Sequence, residues 1–595
     1  MSALVVVLFA VVVVRLFTLQ VVRHERYDRF ARDNQLLRER ATAPRGFLRD
    51  RKGTPLVDNV LHFEVTTPWR SRQDVETAAA SLAAYLPVDT AKILGRFDAW
   101  RGRAAHVPFP LVPDADKFMI SFVRENADVL PPMRVASRGR RRYREHALAA
   151  HMLGYVGEVG ESELAAAAPK RYYPGDMVGK IGLELQCEDW LRGEDGVRVL
   201  EVNAAGTVLG ENKELSAPPR PGRDVFLTLD VDLQRHLEGM LATYSAGAAV
   251  VLDVDDGAII AAASIPSYDP NRFATGLSQA SLTALLEAEG RPLFNRLSQA
   301  RYPPASTFKV VSAFAILINE LIDPGEVLVY CTGARRFGNR VFRCWQEGGH
   351  GGMNLMSALV QSCDVYFYRV GEIMDADLLA AAARAFGFGE RTGLDIPGEM
   401  LGNIPDREYY DRKFGRGGWT QGHMLNNVIG QGEYLTTVLQ VARMCAAVAN
   451  GGYLVRPHFV DHVEGEAPIA YPKKRVPGLD GATLAFLRRA MEGVVQNPGG
   501  TAYWTRLAWL RSAGKTGTAQ NPHGEAHAWY TAYAPADAPE IAIAILVENS
   551  GHGGEFAAPI ARDFFARFFE SLQDETARVE RGVDAANAVA DGGPR

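Results

Sequence analysis

The strand-like stretches in the second half of this 595-residue chain fall into two groups far apart in sequence. AGAAVVLDVDDGAIIAAAS, residues 246–264, reads as two apolar runs joined at Asp255-Asp256-Gly257, the signature of a hairpin. Strand patterns return in LRSAGKTGTAQ (510–520), HAWYTAYAPA (527–536) and EIAIAILVENS (540–550). From about 278 to 450 helical periodicity dominates. Strands drawn from both ends of a domain, with helices inserted between them, point to an antiparallel sheet with a helical insert, an α+β arrangement.

Upstream, SAPPRPG at 216–222 has linker chemistry, and PRG at 44–46 and DRKG at 50–53 read as breaks or turns. Residues 60–150 mix short apolar runs with basic ones such as SRGRRRYR (137–144), which suits a solvated face. A net charge of −5 gives no nucleic-acid signature, and five cysteines are too few for a dense disulfide framework. ALVVVLFAVVVVRLFTLQVV, residues 3–22, is apolar except for Arg15, Thr18 and Gln20. About 20 such residues span a bilayer as a helix, and no small-residue cleavage site ends the run. A retained signal anchor is expected, with a buried core helix as the plainer alternative. The expected layout is an anchor (1–22), a charged juxtamembrane helix (23–42), an elongated pedestal (43–215), a catalytic domain (222–570) and a disordered tail (571–595).

RYPPASTFKVV, residues 301–311, places Lys309 three residues after Ser306, behind two prolines that suit a helix entry. A serine hydroxyl needs a base to become a nucleophile, and a lysine of lowered pKa can serve. Alone, the pair reads first as a helix cap and a solvated lysine, because S-x-x-K occurs by chance in many helices. QSCDVYFY adds Ser362 and Asp364, and GKTGTAQ adds Lys515, Thr516, Gly517 and Thr518. The ordered set Ser-x-x-Lys, Ser-x-Asp, Lys-Thr-Gly resembles that of penicillin-binding proteins and serine β-lactamases.

The resemblance to class B penicillin-binding proteins extends to about residue 570. APRGFLRDRKGTPL, AAHMLGYVGEV and GKIGLELQCEDWLRGEDG resemble their membrane-proximal module; TGLDIPGE, NNVIGQGEYLTTVLQ, GGTA and HAWYTAYAP resemble their transpeptidase domain. The short distance from the apolar run to PRG, and VENSGHGG, look most like the elongation-type members. Ala305 stands where Gly is usual, Val438 where Pro is usual, and Asp364 where Asn is commoner. The resemblance implies a penicillin-binding transpeptidase fold on a pedestal with one N-terminal transmembrane helix. It implies Ser306 as nucleophile, Lys309 as its base, and Ser362 as proton relay to the leaving amine. Lys515 would hold charge near the substrate carboxylate and lower the pKa of Lys309, and Asp364 could pair with either lysine. Thr516, Gly517 and Thr518 would receive the substrate, and the backbone N–H groups of Ser306 and Thr518 would form the oxyanion hole.

Cys331, Cys344, His350 and Cys363 follow C-x12-C-x5-H-x12-C, a donor set that suits tetrahedral zinc in a structural role. A Cys331–Cys344 disulfide and unrelated buried thiols are the alternatives. Elongation-type relatives carry a metal at a similar place. Cys187 and Cys445 read as core residues, and His523, His527 and His552 as structural or substrate-adjacent.

The resemblance thus implies a D,D-transpeptidase of the bacterial inner membrane, single-pass, with its catalytic domain periplasmic. It would cross-link stem peptides at D-Ala-D-Ala in lateral-wall elongation, be acylated by β-lactams, and need no cofactor for catalysis. Expected partners are the membrane, a membrane glycosyltransferase of the shape, elongation, division and sporulation family, and a periplasmic elongation scaffold, with no nucleic acid. The rival readings are a carboxypeptidase, a septal-type transpeptidase, and a non-catalytic penicillin-binding regulator of a partner glycosyltransferase.

Overall fold

The computed structural model describes residues 2–23, 36–100, 108–168, 171–202 and 208–590. The chain forms two compact units: Met1–Phe47 with Asp189–Asp224, and Leu48–Glu188 with Val225–Arg595. This division cuts through the segment expected as one pedestal.

In the smaller unit, a helix over Ser2–Phe17 passes into a wider π-helical turn over Thr18–Val22. The Thr18 hydroxyl donates to the Val14 carbonyl at 2.7 Å, a local bond that competes with the regular helix ladder. A straight helix of this length reaches only about 24 Å. Among the described residues no helix is long and apolar enough to cross a membrane. Residues 24–35, most of the expected juxtamembrane helix, lie outside the described residues. Its end is corrected: Leu36–Ala41 is a strand, paired antiparallel with Gly196–Val202, which also pairs with Val208–Glu211. Partner strands supply ladder bonds that outweigh a short helical rhythm.

In the larger unit, the long strand Pro55–Thr67 pairs with Arg134–Tyr143 and Phe109–Val112. Helices Arg72–Ala83, Thr90–Trp100 and Lys117–Glu125 pack here on a core that includes Val65, Leu82, Phe97 and Phe109. The basic run 137–144 lies on this ladder, and Arg142 and Arg144 both reach Asp58. Strand Val225–Leu227 joins this sheet to the catalytic part: it runs parallel to Leu48–Arg49 and antiparallel to Val460–Val463.

The catalytic part is built on β1 (Gly247–Asp253), β2 (Ile259–Ile265), β3 (Ala513–Ala519), β4 (His527–Ala534) and β5 (Ile541–Val547). They form an antiparallel sheet in the order β2-β1-β5-β4-β3, as strands from both ends of a domain predict. One face presents every second residue, among them Ala249, Val251, Ala261, Tyr530, Ile543 and Ile545. It is covered by α1 (Val231–Leu241) and by the phenylalanines Phe564, Phe565, Phe568 and Phe569 of a long C-terminal helix. Between β2 and β3 come α2 (Lys309–Ile318), α3 (Asp364–Gly371), α4 (Val438–Ala449) and α5 (Gly481–Gln496). Every residue of α4 is buried, so it is apolar nearly all round. Thr437 caps it, which makes Val438 the first helical position, where proline is equally at home. The C-terminal helix, α6, spans Gly553–Ala590 and so carries helical backbone through the stretch whose composition reads as disordered.

Candidate active site

Ser306 lies on a 3-10 turn, Ala305–Phe308, that runs directly into α2 at Lys309. The two prolines serve as the expected helix entry. The turn is fastened from several sides. Trp529 Nε1 donates to the Pro303 carbonyl at 3.0 Å, the Thr307 hydroxyl to the Pro304 carbonyl at 2.6 Å, and Ala305 N–H to the Gly430 carbonyl at 2.8 Å. Ala305 holds φ +50°, a left-handed conformation that glycine adopts without a steric penalty, which accounts for glycine being usual there. Gly517 is required by proximity. A Cβ on it would stand 3.2 Å from the Thr307 methyl and 3.3 Å from the Pro304 carbonyl oxygen. β3 therefore lies against the turn that carries Ser306 because position 517 has no side chain.

Ser362 sits between helix Leu355–Val360 and α3, at φ +54°. A left-handed serine costs about 1 kcal/mol or more and marks a position held by its surroundings. Two of the expected catalytic groups, both lysines, bond to it. Lys515 Nζ donates to Ser362 Oγ at 2.9 Å and to the Thr516 carbonyl at 3.0 Å. Lys309 Nζ donates to Ser362 Oγ at 3.3 Å, to the Ser362 carbonyl at 2.8 Å and to Asp364 Oδ1 at 2.7 Å. A hydrogen bond to Ser306 Oγ is not among these, although Lys309 follows it by one turn.

Two points of electrostatics refine the expectation. Asp364 pairs with Lys309, not with Lys515. It is Lys515 whose pKa lies well below the usual lysine value, first because burial strips it of solvent and then because the Lys309 charge is close, with Asp364 opposing. Both amines are fully buried.

On β3, the edge strand of the sheet, Thr516 Oγ1 lies 2.7 Å from Thr501 Oγ1, and Thr518 Oγ1 lies 3.5 Å from His552 Nδ1. Gln431 Nε2 donates to the Thr518 carbonyl at 3.1 Å. Because the N–H and C=O of one strand residue leave on the same side, Thr518 N–H also points off the free edge. Thr501 and Gln431 had no role in the sequence reading, and His552 was read only as structural or substrate-adjacent. Their segments were legible, but contacts across 15 to 87 residues leave no trace in local periodicity.

Cys331, Cys344, His350 and Cys363 come together with all ligand atoms within 4.8 Å of one another. Strands Val329–Cys331 and Gly351–Met353 pair at the base of the loop, and Gly349 passes so close to Cys331 that a Cβ there would sit 2.2 Å from its carbonyl oxygen. His350 Nδ1 lies 3.6 Å from both Cys331 Sγ and Cys344 Sγ. Tetrahedral zinc with its usual bond lengths separates an imidazole nitrogen from a thiolate sulfur by about 3.6 Å. The donors therefore fit such an ion. All five cysteines, Cys187 and Cys445 included, are buried, and none is in a disulfide. Without an ion, Cys344 and Cys363 share one hydrogen bond, which draws the Cys344 thiol far below its usual pKa and pushes Cys363 above it. The loop also reaches the partner of Lys309: the N–H of Trp345, next to Cys344, donates to Asp364 Oδ2 at 3.1 Å.

Residues 247–566 match the penicillin-binding protein transpeptidase domain, and residues 40–227 the penicillin-binding protein dimerisation domain. The chain belongs to the penicillin-binding protein family. It is 32% identical to the peptidoglycan D,D-transpeptidase MrdA of Haemophilus influenzae, over 94% of this chain and 89% of that protein. A penicillin-binding protein (PBP2) solved in complex with MreC from Helicobacter pylori is similar with TM-score 0.81 and 30% identity, over 90% of this chain and 99% of that one. A chain from the structure described as "Structural coordination of polymerization and crosslinking by a peptidoglycan synthase complex" matches with TM-score 0.73 and 31% identity, over 95% and 97%. The penicillin-binding fold, set beside a dimerisation-type module, is thus the one the motifs implied.

Proposed function

We propose that this chain is an elongation-type peptidoglycan D,D-transpeptidase. The observation that carries the reading is the meeting of Lys309 and Lys515 at Ser362, with Asp364 paired to Lys309, which lies one turn after Ser306, beside an open strand edge. A stem peptide ending in D-Ala-D-Ala pairs with the edge of β3, its carboxylate near the hydroxyls of Thr516 and Thr518. Ser306 Oγ attacks the penultimate carbonyl, and its proton passes to Lys309, which is neutral in its working state. The N–H groups of Ser306 and Thr518 receive the oxyanion. Ser362 delivers a proton to the departing D-Ala amine. The ester on Ser306 is then transferred to an amine of a second stem. β-Lactams acylate the same serine.

Zinc on Cys331, Cys344, His350 and Cys363 would be structural, fixing the loop that supports Asp364 and leaving no ligand position open. The chain would be anchored by its apolar N-terminus with the catalytic part outside the cytoplasm. The MreC complex and the synthase complex of its relatives support a scaffold and a polymerising glycosyltransferase as partners.

The test is labelling of the full chain with a fluorescent penicillin, read by intact mass beside Ser306→Ala. One adduct, absent from the variant, is expected. No adduct on folded wild type would leave the non-catalytic regulator as the better reading.

A further inference from the structure

Two short strands, Ala334–Phe337 and Arg340–Arg343, pair into a hairpin that forms a sheet of its own. Its register decides which side chains share a face. Arg335, Phe337, Arg340 and Phe342 fall on one side, and Ala334, Arg336, Val341 and Arg343 on the other. The first face is packed. Phe342 is buried, with its ring 5.3 Å from that of Tyr368 on α3. Arg335 pairs with Glu372, which also accepts from Arg369 at 2.8 Å, and Arg340 lies over the Phe342 ring at 4.9 Å. The second face is open: Arg336, Val341 and Arg343 are all exposed.

The open face carries uncompensated charge. Arg336 and Arg343 occupy diagonal positions of the ladder, within reach of each other as like charges. Glu372 is taken up on the packed face, and among the described residues no carboxylate forms an ion pair with Arg336, Arg340 or Arg343. Such a set does not stabilise the fold, and it stands out in a chain whose net charge is −5. It is also close to the proposed chemistry. The Tyr368 hydroxyl donates to the Arg343 carbonyl at 3.0 Å, and two residues further on Trp345 N–H holds Asp364 Oδ2. Two residues of chain span at most about 7 Å, so the arginine face stands at the margin of the site.

Resting on the acyl-transfer reading above, we propose that the open face of this hairpin is an electrostatic docking surface for the un-cross-linked glycan strand, and that it holds stems that take no part in the reaction. The argument is one of charge complementarity. A strand bears many stems, each ending in a carboxylate, and is therefore a polyanion. While one stem lies on β3, its neighbours on the same strand bring their carboxylates past the margin of the site. A guanidinium takes a carboxylate with two parallel hydrogen bonds, which an ammonium cannot. Each exposed pair is weak alone, so the hold comes from several carboxylates on one strand meeting Arg336, Arg343 and Arg340. The surface acts on how long a strand stays, and leaves the chemical steps at Ser306 untouched.

The experiment measures strand binding by the full chain in detergent, with Ser306 first acylated by penicillin so that the active site is occupied. The probe is soluble un-cross-linked peptidoglycan bearing pentapeptide stems, beside the same material with its carboxylates amidated. One variant combines Arg336→Ala with Arg343→Ala, and a second combines Arg336→Lys with Arg343→Lys, which keeps the charge. Wild-type affinity should fall at least fivefold between about 50 and about 200 mM salt, as screening of exposed charges requires. At the lower salt, amidation of the strand and the double alanine change should each weaken binding at least fivefold, and the double lysine change less. Both variants should be acylated by fluorescent penicillin within twofold of the wild-type rate, which also shows that they are folded. Strand binding by the double alanine variant within twofold of wild type would overturn the assignment and leave the face to a protein partner. A wild type that takes up no penicillin would remove the acyl-transfer reading itself, and the docking surface with it.

Discussion

At the scale of single residues, Ser362 joins two demands that oppose each other. Its hydroxyl receives both lysines, and its backbone is left-handed, a conformation that costs an L-residue about 1 kcal/mol or more. Ser362→Ala and Ser362→Gly both delete the hydroxyl, but only glycine relieves the backbone. Both are expected to lose nearly all transfer to an amine. Ser362→Gly should unfold at a temperature a few degrees above Ser362→Ala, corresponding to about 1 kcal/mol. Equal melting temperatures would show that the turn is not strained. The candidate catalytic side chains could be singled out because each lies in a short motif whose spacing is local. The wiring between them was not. That Asp364 serves Lys309, that burial depresses Lys515, and that Trp345 N–H holds the far oxygen of Asp364 all depend on how separate segments pack.

At the scale of elements, the loop that carries Cys331, Cys344 and His350 is the clearest case of a short segment acting on the site. Its four donors were legible as a spacing, but its path to Lys309 through Trp345 and Asp364 was not. Gently purified protein should contain close to one equivalent of zinc, and Cys344→Ala should lose it. Chelation should lower the melting temperature by several degrees and slow penicillin acylation as well, because Asp364 loses its support. Less than a tenth of an equivalent in wild type would remove the metal from the account. A second pair of elements predicts a pH effect. His151, in the short helix Ala150–Leu153, lies 2.8 Å through Nε2 from the Pro292 carbonyl and is pushed by burial to about 4. Glu238 of α1 accepts from Ala149 N–H at 2.7 Å and is raised by burial to about 7. The signs oppose. Between about pH 4 and 6.5 the unfolded histidine takes up a proton that the folded one refuses, so its contribution to stability falls as pH is lowered. Between about pH 4.5 and 7 the folded glutamic acid keeps a proton that the unfolded one releases, so its contribution rises as pH is lowered. Each effect is at most about 3 kcal/mol, and less for Glu238, which is partly exposed. Relative to wild type, Glu238→Gln should lose stability more steeply from pH 7 to 4.5, and His151→Gln less steeply. Urea titrations across that range decide it, and slopes that shift in the same direction would contradict the assignment.

At the scale of the whole molecule, the sequence separated a pedestal from a catalytic domain at the proline-rich linker 216–222, whereas the chain's compact units place 48–188 with the catalytic part. The reason lies in polar contacts that a linker gives no hint of. Tyr143 N–H donates to Asn271 Oδ1, and Asn271 Nδ2 donates back to the Tyr143 carbonyl, both at 2.9 Å. The Ser267 hydroxyl donates to the Ala147 carbonyl at 2.8 Å, and Tyr268 Oη to the Ala150 carbonyl at 3.1 Å. Strand Val225–Leu227 completes its ladder on Leu48–Arg49. A chain beginning at residue 222 would contain every proposed catalytic residue, yet it would expose this strand edge and leave Asn271, Ser267 and Tyr268 without those partners. Each such hydrogen bond exchanged for one to water costs about 0.5–1.5 kcal/mol net, and several together weigh on the small stability of any domain. Such a chain is therefore expected to melt at least 5 °C below one that spans 36–590, to aggregate more readily, and to be acylated by penicillin more slowly. If it melted at the same temperature and reacted at the same rate, residues 48–188 would be a detachable spacer. The expected loss would instead make them part of the catalytic body, through which a partner bound to the pedestal could reach the active site.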